Sequence, residues 1–128
     1  MNFLLDTHIA LWALSNDKRL AKEARGLIAN EDNRIFVSVA SIWEIAIKKA
    51  LKPDKIPLSG REFLHYCGQA GYELLPIRET HILFLENLPI LHSYPFDRIL
   101  VAQASAESLM LLTHDSVIAK YGSAVKLV

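Results

Sequence analysis

Four carboxylates stand at the borders of strongly apolar segments: Asp6 ends NFLLD, Glu44 lies within SIWEIAI, Asp97 within PFDRILVA, and Asp115 ends LMLLTHD. Taking an ionised carboxylate out of water costs several kcal/mol unless it is paired, hydrogen-bonded or bound to a cation. If one fold gathers the four, a divalent cation is their common explanation. Hard oxygen donors in a chain whose one cysteine is Cys67 favour Mg²⁺ or Mn²⁺ over zinc. The histidines, His8, His65, His81, His92 and His114, form no H-E-x-x-H pattern. His8 and His114 neighbour predicted ligands, and no histidine is assigned to metal.

Taken singly, each acid has a plainer explanation. Asp6, Asp97 and Asp115 fall at or near predicted helix N-termini, where carboxylates cap free N–H groups and complement the helix dipole. Ser41 and Glu44 have the spacing of a capping box, an explanation that fails if the helix starts near Ala40. Lys48, four residues beyond Glu44, can form a helical ion pair with it. The case for chemistry rests on all four acids meeting at one place.

Positioning them requires strands that feed helices. NFLL reads as a strand, HIALWAL as a helix, and residues 17–30 as an amphipathic helix. RIFVSV is a second strand, followed by ASIWEIAIKKALK as a helix that stops before Pro53. The two prolines and glycine of KPDKIPLSG mark a loop, then come a helix through REFLHYCGQA and a strand in GYELLPI closed by Pro76. Residues 79–88 and FDRILVAQASAES are helical, LMLLT is a strand, a short helix follows Asp115, and SAVKLV is the last strand. This alternation predicts an α/β fold with a central, mainly parallel sheet of about five strands, in one domain spanning 1–128. Such sheets place ligands beyond the carboxyl ends of their strands, where Asp6 and Asp115 fall.

The bulk composition adds limits. With 14 basic and 14 acidic residues the chain has no net charge, so contact with nucleic acid requires a local patch. Hydrophobic residues make up 52% of 128, high for a body with so much surface per volume, which predicts an oligomer. Leu11, Trp12 and Leu14 are candidates for either core or interface. Cys67 is expected to be a buried apolar side chain. No segment reaches the roughly 18 apolar residues of a membrane helix, so a cytoplasmic protein is expected.

The segments LLDTHIALWAL, VSVASIWEIAIKKALK, ELLPI, PFDRILVAQA and LLTHDSVIAKYG carry a family resemblance. In order and spacing over essentially the full length, the chain resembles PIN-domain ribonucleases, in particular the VapC-type toxins of toxin–antitoxin systems. The resemblance implies a PIN-like three-layer α/β/α sandwich. It also implies a Mg²⁺- or Mn²⁺-dependent endoribonuclease that hydrolyses RNA phosphodiester bonds with metal-activated water. Asp6, Asp97 and Asp115 are then metal ligands, and Glu44 is a further ligand or orients the attacking water. Thr7 and Thr113 lie beside the site, and Lys48 and Arg98 are the candidate phosphate contacts. A VapB-type antitoxin and homodimerisation are implied as well. One departure is visible: relatives often carry an aspartate where this chain has Tyr94.

Rival readings are weaker on the residues. A receiver domain expects an acid pair after the first strand, and a haloacid-dehalogenase-type phosphatase expects an aspartate at the position of His8. The alternative from another class is a non-catalytic PIN-like module that binds RNA or protein.

Overall fold

The computed structural model describes all 128 residues. Its centre is a five-stranded sheet in the order β3-β2-β1-β4-β5, formed by β1 (Asn2–Leu5), β2 (Arg34–Ser38), β3 (Glu73–Leu75), β4 (Met110–Thr113) and β5 (Val125–Leu127). Every pairing is parallel, with Phe3 opposite Ile35 on one side and Met110 on the other. The expected mainly parallel sheet is thus wholly parallel.

Alternation along the central strands builds the two core layers. Phe3, Leu5, Ile35, Val37 and Leu112 face one cluster, closed by α1 (Thr7–Ser15), α2 (Lys22–Ala29), α4 (Gly60–Gln69) and Ile45 of α3 (Val39–Leu51). Leu4 and Leu111 face the other, closed by α6 (Pro95–Ala106) and the partly buried Leu85 of α5 (Glu79–Glu86). Cys67 lies in the first cluster, where burial pushes its thiol up to about 12 and leaves it an apolar filler. Of the residues weighed as interface, Leu11 is buried, and Trp12 and Leu14 pack on the same core.

The helix expected over residues 17–30 is shorter, because local side-chain bonds win at its start. Asn16 ends α1 in the left-handed region at φ 53°, a conformation asparagine tolerates. Asp17 then accepts from the Arg19 amide at 2.9 Å and the Arg19 guanidinium at 2.8 Å, holding a turn until α2 begins at Lys22. The segment after Asp115 is a 3₁₀ turn, Ile118–Tyr121, and a second such turn, Pro53–Lys55, lies in the proline-bracketed loop. Lys49 fixes that loop by donating to the carbonyls of Pro53 (3.1 Å) and Ile56 (3.0 Å).

Two helices that carry predicted site acids are tied together by buried polar groups. Ser38 caps α3 by accepting from the Ala40 amide at 2.9 Å, and its hydroxyl donates to Gln103 of α6 at 2.6 Å. Gln103 in turn donates to the Pro76 carbonyl after β3 at 3.2 Å. All three elements are thereby set in register at the end of the sheet where the strands finish.

Candidate metal centre

Strand order reverses between β1 and β4, the switch point beyond whose strand ends such sheets hold ligands. Asp6 and Asp115 follow those two strands directly. Asp6 is the N-cap of α1: its Oδ1 accepts from the Ile9 amide at 2.8 Å. Its Oδ2 accepts from the Thr113 hydroxyl at 2.5 Å. The same hydroxyl accepts from the Asp115 amide at 3.0 Å, so Thr113 joins the two carboxylates. Asp115 closes its own turn by accepting from Val117 at 2.8 Å. The capping explanation therefore describes Asp6 and part of Asp115. It does not describe Asp97, which sits in the first turn of α6 without such a bond.

Glu44 lies inside α3, because the helix starts at Val39 under the Ser38 cap, so the Ser41 capping box does not form. Its carboxylate is almost wholly buried, at 2% exposure. Oε2 accepts from Lys48 Nζ at 2.7 Å and from the Tyr94 hydroxyl at 2.9 Å. The helical ion pair thus exists, but it uses only one oxygen: Oε1 is buried with no partner. A buried acceptor left open in this way is unusual and calls for a donor or a cation.

The four acids share one electrostatic environment. Burial, reinforced by the charges of Glu44, Asp6 and Asp115, pushes the Asp97 carboxyl up to about 7, against the pull of His92. Burial also raises Asp6 above the usual carboxylate range, outweighing its bonds to Thr113 and Ile9. Glu44 goes the other way: burial opposes ionisation, but the bonds from Lys48 and the Tyr94 hydroxyl hold it below its ordinary value. Asp115 is likewise held low, because the Val117 amide and His92 outweigh its partial burial. A cluster of like charges with an open buried oxygen fits a hard divalent cation, which would relieve both.

One group at the site was not assigned from the sequence. His92 Nε2 lies 3.2 Å from Asp115 Oδ2 and 3.5 Å from Asp97 Oδ2, and one ligand atom from each of these three residues lies within 4.8 Å of the others. Its Nδ1 accepts from the Tyr94 amide at 3.1 Å, which puts the proton of the neutral ring on Nε2, facing the acids. His92 belongs to an irregular connection between Pro89 and Pro95, where no periodicity ties it to Asp97. Its position five residues before that acid was the only signal. The histidines that neighbour ligands in sequence, His8 and His114, are exposed, and His114 Nδ1 pairs with the Val128 carbonyl at 2.9 Å.

Thr7, Lys48, Arg98 and Thr113 are the expected substrate contacts. Thr7 and Thr113 are buried: the Thr113 hydroxyl donates to the Asp6 carboxylate, and the Thr7 hydroxyl donates to Ser41 at 2.9 Å. Arg98 directs Nη2 to the Leu88 carbonyl at 3.1 Å, and its Nε is buried without a partner. Lys48, about a third exposed along its side chain, is the cation that reaches the acids.

A parallel three-layer fold with acidic residues gathered at its switch point defines a class of proteins whose ligands sit beyond the strand ends. Within that class the chain belongs to the PIN domain family, whose model matches residues 3–123. Among solved structures it is similar to VapBC2 from Rickettsia felis bound to a DNA fragment from their promoter. That match has a TM-score of 0.69 and 17% identity, over 99% of this chain and 97% of the other. A toxin–antitoxin complex from Klebsiella pneumoniae matches with a TM-score of 0.65 at 17% identity, over 96% and 94% of the two chains. VapBC-1 from nontypeable Haemophilus influenzae matches at 0.64 and 15%, over 94% and 92%. At these identities the likeness is one of fold. No curated protein matches the sequence.

Proposed function

We propose that the protein is a Mg²⁺- or Mn²⁺-dependent endoribonuclease, a VapC-like toxin restrained by a cognate VapB-type antitoxin. The observation that carries this reading is the convergence of Asp6, Glu44, Asp97 and Asp115, with Glu44 presenting one unpartnered buried oxygen. Membership of the PIN family supports it, and so does the fold shared with complexes described as VapBC and toxin–antitoxin assemblies.

In this reading Asp6, Asp97 and Asp115 hold the cation. When bound, the ion would lower the pKa of water and offset charge on the departing oxygen. Glu44, held ionised and oriented by Lys48 and Tyr94, directs its open oxygen at the attacking water and takes up its proton. Thr113 and Thr7 keep the neighbouring carboxylates and helix starts in place. Lys48 approaches the scissile phosphate. Arg98 joins it only by giving up the Leu88 carbonyl. Hydrolysis by external water leaves a 5′-phosphate and a 3′-hydroxyl, with no covalent enzyme intermediate. No helix is long and apolar enough to cross a membrane.

The test combines cleavage with a binding readout. Purified protein cuts unstructured RNA with Mn²⁺ and not with EDTA, and millimolar Mn²⁺ raises its melting temperature. Asp6→Asn keeps the α1 cap acceptor, so it folds, while cleavage falls by at least about a thousandfold if that charge holds the ion. Full activity in Asp6→Asn, or cutting that persists in EDTA, refutes the assignment. Binding without any cleavage supports the non-catalytic module instead.

A further inference from the structure

The connection between Pro89 and Pro95 is neither helix nor strand, yet side chains hold it against the acids. The Tyr121 hydroxyl, from the 3₁₀ turn that follows Asp115, accepts from the Leu91 amide at 3.2 Å and from the His92 amide at 3.0 Å. The His92 ring is fixed in turn: Nδ1 accepts from the Tyr94 amide at 3.1 Å, where α6 begins. Nε2 then points to Asp115 Oδ2 at 3.2 Å and to Asp97 Oδ2 at 3.5 Å. Neither acid forms a salt bridge with a lysine or an arginine. Asp115 Oδ1 is taken by the Val117 amide at 2.8 Å, and Asp97 has no capping bond within its own helix. His92 is therefore the side chain set against the remaining oxygens of both acids.

The tautomer decides what this ring can do. With Nδ1 accepting from an amide, the proton of the neutral ring belongs to Nε2, so that nitrogen offers an N–H and not a lone pair. Binding an ion through Nε2 would move the proton to Nδ1, set it against the Tyr94 N–H and leave that amide without its acceptor. Donation to a carboxylate has neither cost. We propose that His92 is a positioning residue, whose Nε2–H holds Asp97 and Asp115 toward a common ion while its nitrogen stays off that ion. Two carboxylates that repel each other turn apart unless a donor or a cation lies between them, and this donor keeps them converged before the ion arrives. The ion then meets oxygen alone, a donor set suited to Mg²⁺ or Mn²⁺, whereas an imidazole ligand would favour zinc and the later transition metals. Tyr121 acts one step further out, by pinning the backbone that carries the ring. The proposal rests on the metal-dependent ribonuclease reading and deepens it by assigning the residues that shape and select for its ion.

Metal binding tests this apart from cleavage. Mn²⁺ affinity is measured by calorimetry for the parent protein, His92→Ala, His92→Gln and Tyr121→Phe, each checked for folding by its melting in EDTA. His92→Ala is expected to weaken Mn²⁺ binding by about tenfold or more, the usual cost of losing a bond to a ligand. His92→Gln carries an amide N–H to the place of Nε2–H, so its affinity is expected to stay within about threefold of the parent. Tyr121→Phe removes only a hydroxyl and is expected to weaken binding by about threefold or more with the acids and His92 intact. Pulsed EPR of the Mn²⁺-loaded parent is expected to show no nitrogen bound to the metal. A nitrogen coupling that disappears in His92→Ala makes the ring a ligand and overturns the proposal. That spectrum needs only the parent and one variant, and His92→Gln can stand in where His92→Ala does not fold. Equal affinity in His92→Ala also overturns it, as does a folded His92→Gln that binds no better than His92→Ala. Unchanged binding by Tyr121→Phe overturns the part assigned to that hydroxyl. A parent protein that binds no Mn²⁺ overturns this proposal and the ribonuclease reading together. Mn²⁺ binding that depends on His92 in a protein that cuts no RNA refutes the ribonuclease reading alone.

Discussion

Asp97 shows what the cluster does to a single residue. Facing it are Glu44, Asp6 and Asp115 as negative groups and His92 as the opposing one, and its carboxyl rises from 3.8 to about 7. The folded protein therefore binds this proton more tightly than the unfolded chain does. The resulting stability is full below about pH 4 and is lost as pH rises through about 7. In EDTA, melting temperature is expected to fall between pH 5 and pH 7, with a slope of at most about 1.4 kcal/mol per pH unit from this group. Asp97→Asn should flatten that dependence and melt higher than the parent protein near pH 8. A parent protein whose stability is flat or rises over this interval, measured by calorimetry in EDTA, contradicts the clustered arrangement. Sequence could find these acids because each interrupts an apolar run, and such interruptions are expensive without a shared purpose. It could not find the side of each carboxylate that stays open. The unpartnered Oε1 of Glu44 depends on Tyr94, fifty positions away, reaching Oε2.

At the scale of elements, strand and helix positions were legible because apolar periodicity changes cleanly from one type to the other, and prolines and glycines separate them. The α2 start was misread because Asp17 and Arg19 continue the amphipathic pattern while binding each other in a turn. What periodicity does not encode is the angle between helices, and here that is set by Ser38 and Gln103. The Ser38 hydroxyl both caps α3 and donates to Gln103, so it fixes the helix carrying Glu44 against the helix carrying Asp97. Ser38→Ala removes a cap, worth about 1 kcal/mol, and strands the buried Gln103 oxygen, worth about 1–3 kcal/mol. A loss of roughly 2–4 kcal/mol in urea unfolding is expected. RNA cleavage should fall with it under conditions where the variant remains folded, because α3 and α6 no longer share a fixed register. A loss below about 0.5 kcal/mol would mean that the packing of Ala40 and Leu100 holds the two helices without this bond.

For the molecule as a whole, the high apolar content predicts a covered surface, and several large apolar side chains do stand exposed. Leu11, weighed beforehand as interface, is in the core. Exposed apolar side chains include Leu51 at 75% and Trp43 at 57%, and one run along the chain comprises Ile82, Leu83 and Phe84 of α5, with Ile90 at 81% and Leu91 just beyond it. The same stretch, residues 80–91, carries a single charged side chain, Glu86. A surface so poor in charge suits a second copy of itself better than an oppositely charged partner, since an isologous contact places like groups together. Lys48, Tyr94 and the four acids lie outside this stretch, so pairing through α5 can leave the candidate metal centre uncovered. Sedimentation velocity should therefore find a dimer. Phe84→Glu, at a position already 39% exposed, should convert it to a folded species of 14.4 kDa by placing two buried charges against each other across the two-fold axis. A dimer that survives Phe84→Glu together with Leu83→Glu would assign the contact to another face. A parent protein that sediments as a monomer would leave this apolar surface to a different partner.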